Sequence, residues 1–409
     1  MFIAILLIII SGYFLNRLGE YLDLKSLTGK LPLRLQGIYD SERYQKMQDY
    51  ENETTRFSFI SDTVSFVFTL LFLIAGGFGI LDQFCRSITD NEVLLALLFF
   101  GILGICSEII SLPFSLYSTF VIEEKYGFNK TTPILYLTDK IKGLALGVVL
   151  GGTLLVAFIW FFQTFGELAW LIAWFFLSVV TLIFSMFYAS WIVPLFNKLT
   201  PLETGELRSA IEKFCSQAGF SLNNVFVIDG SKRSTRANAY FSGFGPKKMI
   251  VLYDTLIAKH STEELLAILA HEVGHYKKKH IIQSMLLSFL QSGFMLWTLN
   301  FLMNNLELSV ALGSLTPSIH LTLVGFGILF SPLSLLMGIG LNLLSRKNEF
   351  EADAFAAQSI GSKALKSALT TLSVENLSNL QPHPFNVFIS YSHPTLLQRL
   401  QALDTYDQA

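Results

Sequence analysis

The chain has 409 residues, of which 52% are hydrophobic and only 15% charged, with 37 phenylalanines. Its mean hydropathy of +0.51 lies above what a soluble domain carries. A formal net charge of −2 gives no compositional case for nucleic-acid binding, so no nucleic-acid partner is expected and a lipid bilayer is.

Seven apolar runs reach or approach the roughly 20 residues that span a bilayer. They cover about 1–16, 62–84, 93–121, 141–163, 168–195, 281–303 and 320–344. The first is short enough for a signal peptide, but its basic residue, Arg17, follows the apolar run and no small-residue cleavage site comes after it. It reads as a retained anchor. The 17–60 loop holds seven basic residues, Arg17, Lys25, Lys30, Arg34, Arg43, Lys46 and Arg56. The 122–140 loop adds Lys125, Lys130 and Lys140, and 196–280 is rich in Lys and Arg. The alternate loops 85–92, 164–167 and 304–319 share one basic residue, Arg86. This asymmetry puts the N-terminus outside and the 196–280 segment in the cytoplasm, and it favours seven spans over six. Cys85 at an outer boundary, Cys106 in a span and Cys215 on a cytoplasmic helix face make no plausible disulfide pair.

The 196–280 segment is the sizeable soluble stretch. Leu202 to Ala218 reads as an amphipathic helix with Leu207, Ile211, Phe214 and Cys215 on one side and Gly219 as its stop. Three strands follow: Asn224–Ile228, Asn238–Phe244 with Gly243 and Gly245 beside it, and Lys248–Tyr253. A free edge on the middle strand, at Asn238, Ala239 and Tyr240, could align a peptide by strand addition. An ordinary hairpin fits equally well.

Ser261-Thr262-Glu263-Glu264 has the capping-box form that starts a helix. That helix carries His271-Glu272-Val273-Gly274-His275, an H-E-x-x-H pattern. Positions i and i+4 share a helix face, so His271 and His275 can close on one metal ion, while Glu272 lies where it can reach a water bound there. By composition, about 0.005 such matches arise by chance. Two imidazoles and an oxygen donor suit one Zn²⁺ per chain, with a coordination position left for water. The oxygen donor is sought in Glu349-Phe350-Glu351-Ala352-Asp353, where Glu349 and Asp353 share a face. One can bind metal while the other holds a ligand imidazole by its free N–H. A plain charged helix face is the alternative. Glu351 faces away and reads as solvated. Near the C-terminus, Tyr391-Ser392-His393-Pro394 precedes Arg399. His393 could donate to a developing oxyanion, and Arg399 could clamp a carboxylate. On spacing alone a turn residue and a structural arginine fit better.

Taken together, the H-E-x-x-H run, Glu349–Asp353, Asn238-Ala239-Tyr240, Tyr391–Pro394 and the loop Glu123–Asn129, with the seven spans, resemble the type 1 CAAX prenyl proteases, integral-membrane zinc metallopeptidases of the gluzincin kind. The smaller heat-shock membrane metallopeptidases share the zinc motifs but lack most of the region before residue 196. The resemblance implies that His271, His275 and Glu349 bind Zn²⁺, that Glu272 is the general base, and that Asp353 and Arg399 support the site. It implies that His393 contacts substrate or transition state and that Asn238 and Ala239 belong to a substrate-aligning edge. It also implies a mainly α polytopic fold, with seven transmembrane helices around a water-filled chamber and a small α+β zinc-peptidase domain. Glu108, inside the third run, should then face that chamber or a partner, since lipid exposure would be costly.

The expected organisation is a membrane domain 1–195, a catalytic segment 196–280, spans six and seven in 281–345, and a C-terminal catalytic segment 346–409. The expected activity is hydrolysis of peptide bonds in a peptide or protein substrate, prenylated if CAAX processing is the task, by a monomer. Compact loops and a C-terminus, Asp404–Ala409, without an endoplasmic-reticulum retrieval signal lean towards a bacterial inner membrane, with the active site on the cytoplasmic face. The alternatives are a quality-control or small-peptide endopeptidase without a prenyl requirement, and a channel or scaffold holding a structural metal.

Overall fold

The computed structural model describes residues 1–27, 29–36, 40–220, 224–243, 249–303 and 305–407. The helices α1 (Phe2–Ser26) and α2 (Ser41–Ile74) lead to a shorter α3 (Gly77–Ile88). Then come α4 (Glu92–Tyr117), prolonged by a wider π turn over Ser118–Glu123, α5 (Pro133–Phe165), α6 (Ala169–Trp191) and the short α7 (Val193–Phe196). The soluble segment holds β1 (Leu199–Pro201), α8 (Glu206–Gln217), β2 (Asn224–Ile228), β3 (Ala239–Ser242), β4 (Met249–Tyr253), α9 (Asp254–Ile257) and α10 (Thr262–Lys277). The chain ends with α11 (His280–Leu302), α12 (Leu306–Ala311), α13 (Ile319–Ile360), α14 (Ser362–Glu375), α15 (Pro384–Ser390) and α16 (Leu396–Leu403).

Among the described residues, six stretches are long and apolar enough to cross a bilayer. The fourth, Pro133–Phe196, holds both α5 and α6 with a turn at Gly166–Leu168 between them, so seven long helices carry the apolar runs. At most 17% of any of these apolar windows is buried inside the protein, so most of their apolar surface is left to a bilayer or to internal cavities. Glu108 behaves as expected: it pairs with Lys140 at 2.6 Å and lines a cavity of about 1120 Å³ between α4 and α5.

Several expectations need correction. The 62–84 span is broken, because Ala75 ends α2 and Gly76 takes a left-handed conformation (φ 69°) that starts α3. Much of the presumed 17–60 loop is helix, since α1 runs on to Ser26 and α2 starts at Ser41 behind the Asp40 cap. The amphipathic helix starts at Glu206, not Leu202, because Leu199–Pro201 pairs with β2 as a fourth strand. Phe244, Gly245 and Lys248, expected at strand ends, lie outside the described residues.

The sheet order is β1-β2-β4-β3. β2 and β4 run parallel, and β3 is antiparallel to β4 with Ala239 opposite Leu252. β3 is therefore an edge strand. One hydrophobic core joins Ile211 and Phe214 of α8, Val225 and Ile250 of the sheet, Leu265 and Leu269 of α10, and Leu365 and Leu400 near the C-terminus. Tyr44, Met47 and Ile122 of the membrane part enter the same core, so the segments that follow α7 rest on the membrane part as one packed body.

Candidate metal centre

The site is built on the crossing of α10 and α13. Ser261 and Glu264 form the reciprocal capping box that fixes the start of α10. Gly274, between the two motif histidines, brings its helix so close to α13 that a Cβ there would sit 3.1 Å from both the Cα and the carbonyl oxygen of Ala352. Small residues on both sides of the crossing let Glu349 reach across. α13 itself is a single 42-residue helix, so the expected end of the last span at 344 is only where the apolar run stops. The helix continues unbroken and delivers Glu349 and Asp353, one turn apart, to α10.

The Nε2 atoms of His271 and His275 face each other at 3.1 Å. The Glu349 carboxylate lies 3.4 Å from His271 Nε2 through Oε2 and 3.3 Å from His275 Nε2 through Oε1. One donor atom from each of the three falls within 4.8 Å of the others. Glu349 Oε2 is buried without a hydrogen-bond partner. Three lone pairs that converge with no donor between them fit a cation, and two imidazoles with one carboxylate fit zinc.

Supports surround the three. Asp353 Oδ1 accepts from His271 Nδ1 at 2.9 Å. Arg399 donates to both oxygens of Asp353, at 2.8 and 2.6 Å, and stands 3.6 Å from Glu349 Oε2. The fork holds Asp353 so that His271 stays oriented. His393 is 64% exposed, and its Nε2 is 3.3 Å from Glu349 Oε1, at the rim. The sequence reading missed His280. Its Nδ1 is 3.1 Å from His275 Nδ1, and its Nε2 is 3.3 Å from Glu351 Oε2. Glu351 is thus not merely solvated. The signal was a third histidine five residues beyond the motif, but its approach depends on the turn between α10 and α11.

A cavity of about 680 Å³ brings the predicted residues together. Asn238, Ala239 and Tyr240 form one wall, and His271, Glu272, His275, Glu349, His393 and Arg399 the other. Side chains alternate along β3: Ala239 and Phe241 turn towards the catalytic core, while Tyr240 turns to the opposite side, against α6 and Val251. Tyr240 therefore meets the cavity beside the strand backbone, not as a phenol aimed at the metal position.

Electrostatics follow from burial. Burial pushes the Glu272 carboxyl above its ordinary value, and the two motif histidines pull it partly back. For His271 burial opposes charge, yet the bond to Asp353 and the nearby Glu349 carboxylate outweigh it and push the imidazole up to about 9. In a chain without the cation, protons compete for this place.

Comparison with known proteins agrees with this geometry. The profile of peptidase family M48 matches residues 201–407, and that of the CAAX prenyl protease N-terminal region, five membrane helices, matches residues 20–198. The CAAX prenyl protease 1 homolog of Arabidopsis thaliana is 40% identical over 407 residues, covering 95% of this chain and 94% of that one. CAAX prenyl protease 1 of Saccharomyces cerevisiae is 36% identical over 402 residues, covering 92% and 88%. The crystal structure of S. mikatae Ste24p superposes with a TM-score of 0.93 at 35% identity over 98% of both chains. The fold and site define an integral-membrane metallopeptidase. The chain belongs to peptidase family M48, among the CAAX prenyl protease 1 homologues.

Proposed function

We propose that this chain is a zinc metalloendopeptidase that removes the C-terminal tripeptide after the prenylated cysteine of CAAX proteins. One observation carries the reading: the donor-free convergence of His271, His275 and Glu349 in the same cavity as Glu272 and an edge strand. The substrate class is supported by the names of relatives that align over nearly the whole chain.

His271, His275 and Glu349 would hold one Zn²⁺, which when bound acidifies a water and polarises a carbonyl. The chain's own residues do the rest. Glu272, its carboxyl raised by burial, takes the proton of the attacking water and hands it to the leaving amine. His393 donates to the developing oxyanion. The free edge of β3 takes the substrate backbone as an added strand, with Asn238 and Ala239 setting its register. Asp353 and Arg399 keep His271 in place. The protein acts as a monomer with this site facing the cytoplasm, a placement supported by the Lys and Arg asymmetry of the loops. In a bacterial cell that membrane is the inner one.

The test is Glu272→Gln in purified protein. Zinc content should stay at one per chain while cleavage of a prenylated CAAX peptide falls by about 10²–10⁴. An active, zinc-loaded variant refutes the base assignment. Equal cleavage of an unprenylated unfolded protein by the parent chain would replace CAAX processing with quality control.

A further inference from the structure

His271 and His275 are ligands of the same kind on one helix, yet they are held differently. The Nδ1 of His271 meets the almost fully buried Asp353 directly. The Nδ1 of His275 meets another imidazole, that of His280, whose ring lies 5.2 Å away at 73°. His280 is 5% exposed and is the first residue of α11. It reaches back because Lys279 adopts φ 62°, one of two non-glycine residues with positive φ among those described. A β-carbon is strained in that region, and such strain gathers where a neighbouring side chain must be aimed. Without this turn, α10 would carry on and direct residue 280 away from residue 275.

The chemistry of the contact fixes its direction. A neutral imidazole has one N–H and one lone pair. If His275 offers its Nε2 lone pair to the metal, its proton is on Nδ1 and is donated to His280. His280 must then accept at Nδ1 and carry its own proton on Nε2, which points at Glu351 Oε2. The chain of donors runs one way, from His275 to His280 to Glu351. It leaves the lone pair of His275 facing Glu349 and His271.

We propose that His280 and Glu351 are positioning residues that hold the ligand His275 in its metal-binding tautomer and orientation. The inference rests on the metal centre proposed above and adds a second support for it, separate from Asp353 and Arg399. Because Glu351 is part-exposed at the edge of α13, this arm of the site is reached from solvent, whereas the Asp353 arm is sealed.

The experiment is chelator competition, read by metal analysis on purified full-length protein in detergent. The variants are His280→Phe, His280→Gln and Glu351→Gln, with melting of the stripped protein measured alongside. His280→Phe keeps the ring volume and loses the acceptor. It should weaken zinc retention about 10–100-fold, with the melting temperature of the stripped protein little changed. His280→Gln can still accept and donate, and should recover most of the loss. Glu351→Gln, at the solvent end, should weaken retention by about 3–10-fold, and it tests the relay even if His280→Phe fails to fold. Unchanged retention in either His280→Phe or Glu351→Gln overturns the proposal. Glu349→Ala separates the two readings. If it loses zinc while His280→Phe and Glu351→Gln keep it, the relay alone is wrong. If Glu349→Ala keeps zinc, the metal centre and the relay fall together.

Discussion

The helix α13 carries a buried histidine–carboxylate contact near each end, about 40 Å apart at 1.5 Å per residue, and the two are opposites. Near its start, His320 donates Nε2 to Asp82 at 2.8 Å, and both side chains are at most 1% exposed. Asp82 also accepts from Ser314 Oγ at 2.8 Å and from Arg86 Nε at 3.1 Å. The carboxylate is saturated with donors. Near the other end, Glu349 faces two imidazole nitrogens, and its Oε2 has no hydrogen-bond donor. Proximity of histidine and carboxylate does not make a metal centre. The lone pairs must converge with no donor to satisfy them. The first cluster is a polar clasp around a donor-saturated Asp82 that ties α3 and the segment after α12 to α13, with only His320 Nδ1 left unpartnered, and the second has the converging acceptors that fit a cation.

The largest effects should separate the ends cleanly. Glu349→Ala should bring bound zinc to background and abolish cleavage, because two imidazoles alone make an incomplete site. Asp82→Ala should leave zinc content per folded protein unchanged and lower stability by about 3–5 kcal/mol, since it strips the carboxylate from the buried His320 and takes one of several partners from the half-buried Arg86. Metal analysis and thermal melting on both variants check the pair, and zinc loss in Asp82→Ala would break the comparison. Next in size, Asp353→Asn should weaken zinc retention about 10–100-fold through loss of the carboxylate that orients His271. A variant that competes with chelator as well as the parent would show that Arg399, not Asp353, sets the ring.

The sequence disclosed what depends on spacing within one helix and hid what depends on turns. His271 and His275 share a face by register, as do Glu349 and Asp353, and Ser261 with Glu264 marked the start of α10, so both carrying helices were readable. Glu108 in an apolar run announced its own need for a partner, which proved to be Lys140. His280 was visible as a letter, yet its ring meets His275 only because Lys279 turns left-handed, and nothing local marks lysine for that conformation. The β1 strand is three residues long and contains a proline, too little pattern to read. The break at Gly76 was within reach: two adjacent glycines at 76–77 are a breaker signal that the apolar count overrode. The Asp82–His320 clasp joins residues 238 positions apart, which no local pattern reports.

A smaller effect concerns close backbone contact at both ends. A Cβ on Gly79 would collide with the backbone of Gly313, which holds φ 91° and cannot easily yield. Gly79→Ala should cost about 1–3 kcal/mol of stability with zinc retention intact. Gly274→Ala meets Ala352 at 3.1 Å and needs only a few tenths of an ångström of relief. It should therefore disturb zinc retention more than melting, because the crossing it loosens is the one that carries Glu349 to the histidines. Equal behaviour of the two variants would mean that the metal end is no more sensitive to helix spacing than the clasp.

The finest distinction lies within the catalytic end, between the metal and the strand opposite it. The residues just before β3 are tied down from the membrane side. Arg236 bonds both oxygens of Glu123 at 3.2 Å and the Tyr50 hydroxyl, and its guanidinium lies 4.2 Å over the Phe128 ring. Asn376 grips the N–H and C=O of Ala237 at 3.1 and 3.2 Å, as a neighbouring strand would. None of these groups touches His271, His275 or Glu349. Arg236→Ala should therefore leave zinc content and most of kcat in place and raise KM for the peptide about 3–10-fold, the signature of lost alignment in binding rather than lost chemistry. Arg236→Lys should recover only part of this, since an ammonium cannot stack on Phe128 as a planar guanidinium does. A fall in kcat at constant KM would mean that the clamp acts on the metal side after all, and an unchanged KM would mean that β3 holds its register without help from the membrane helices.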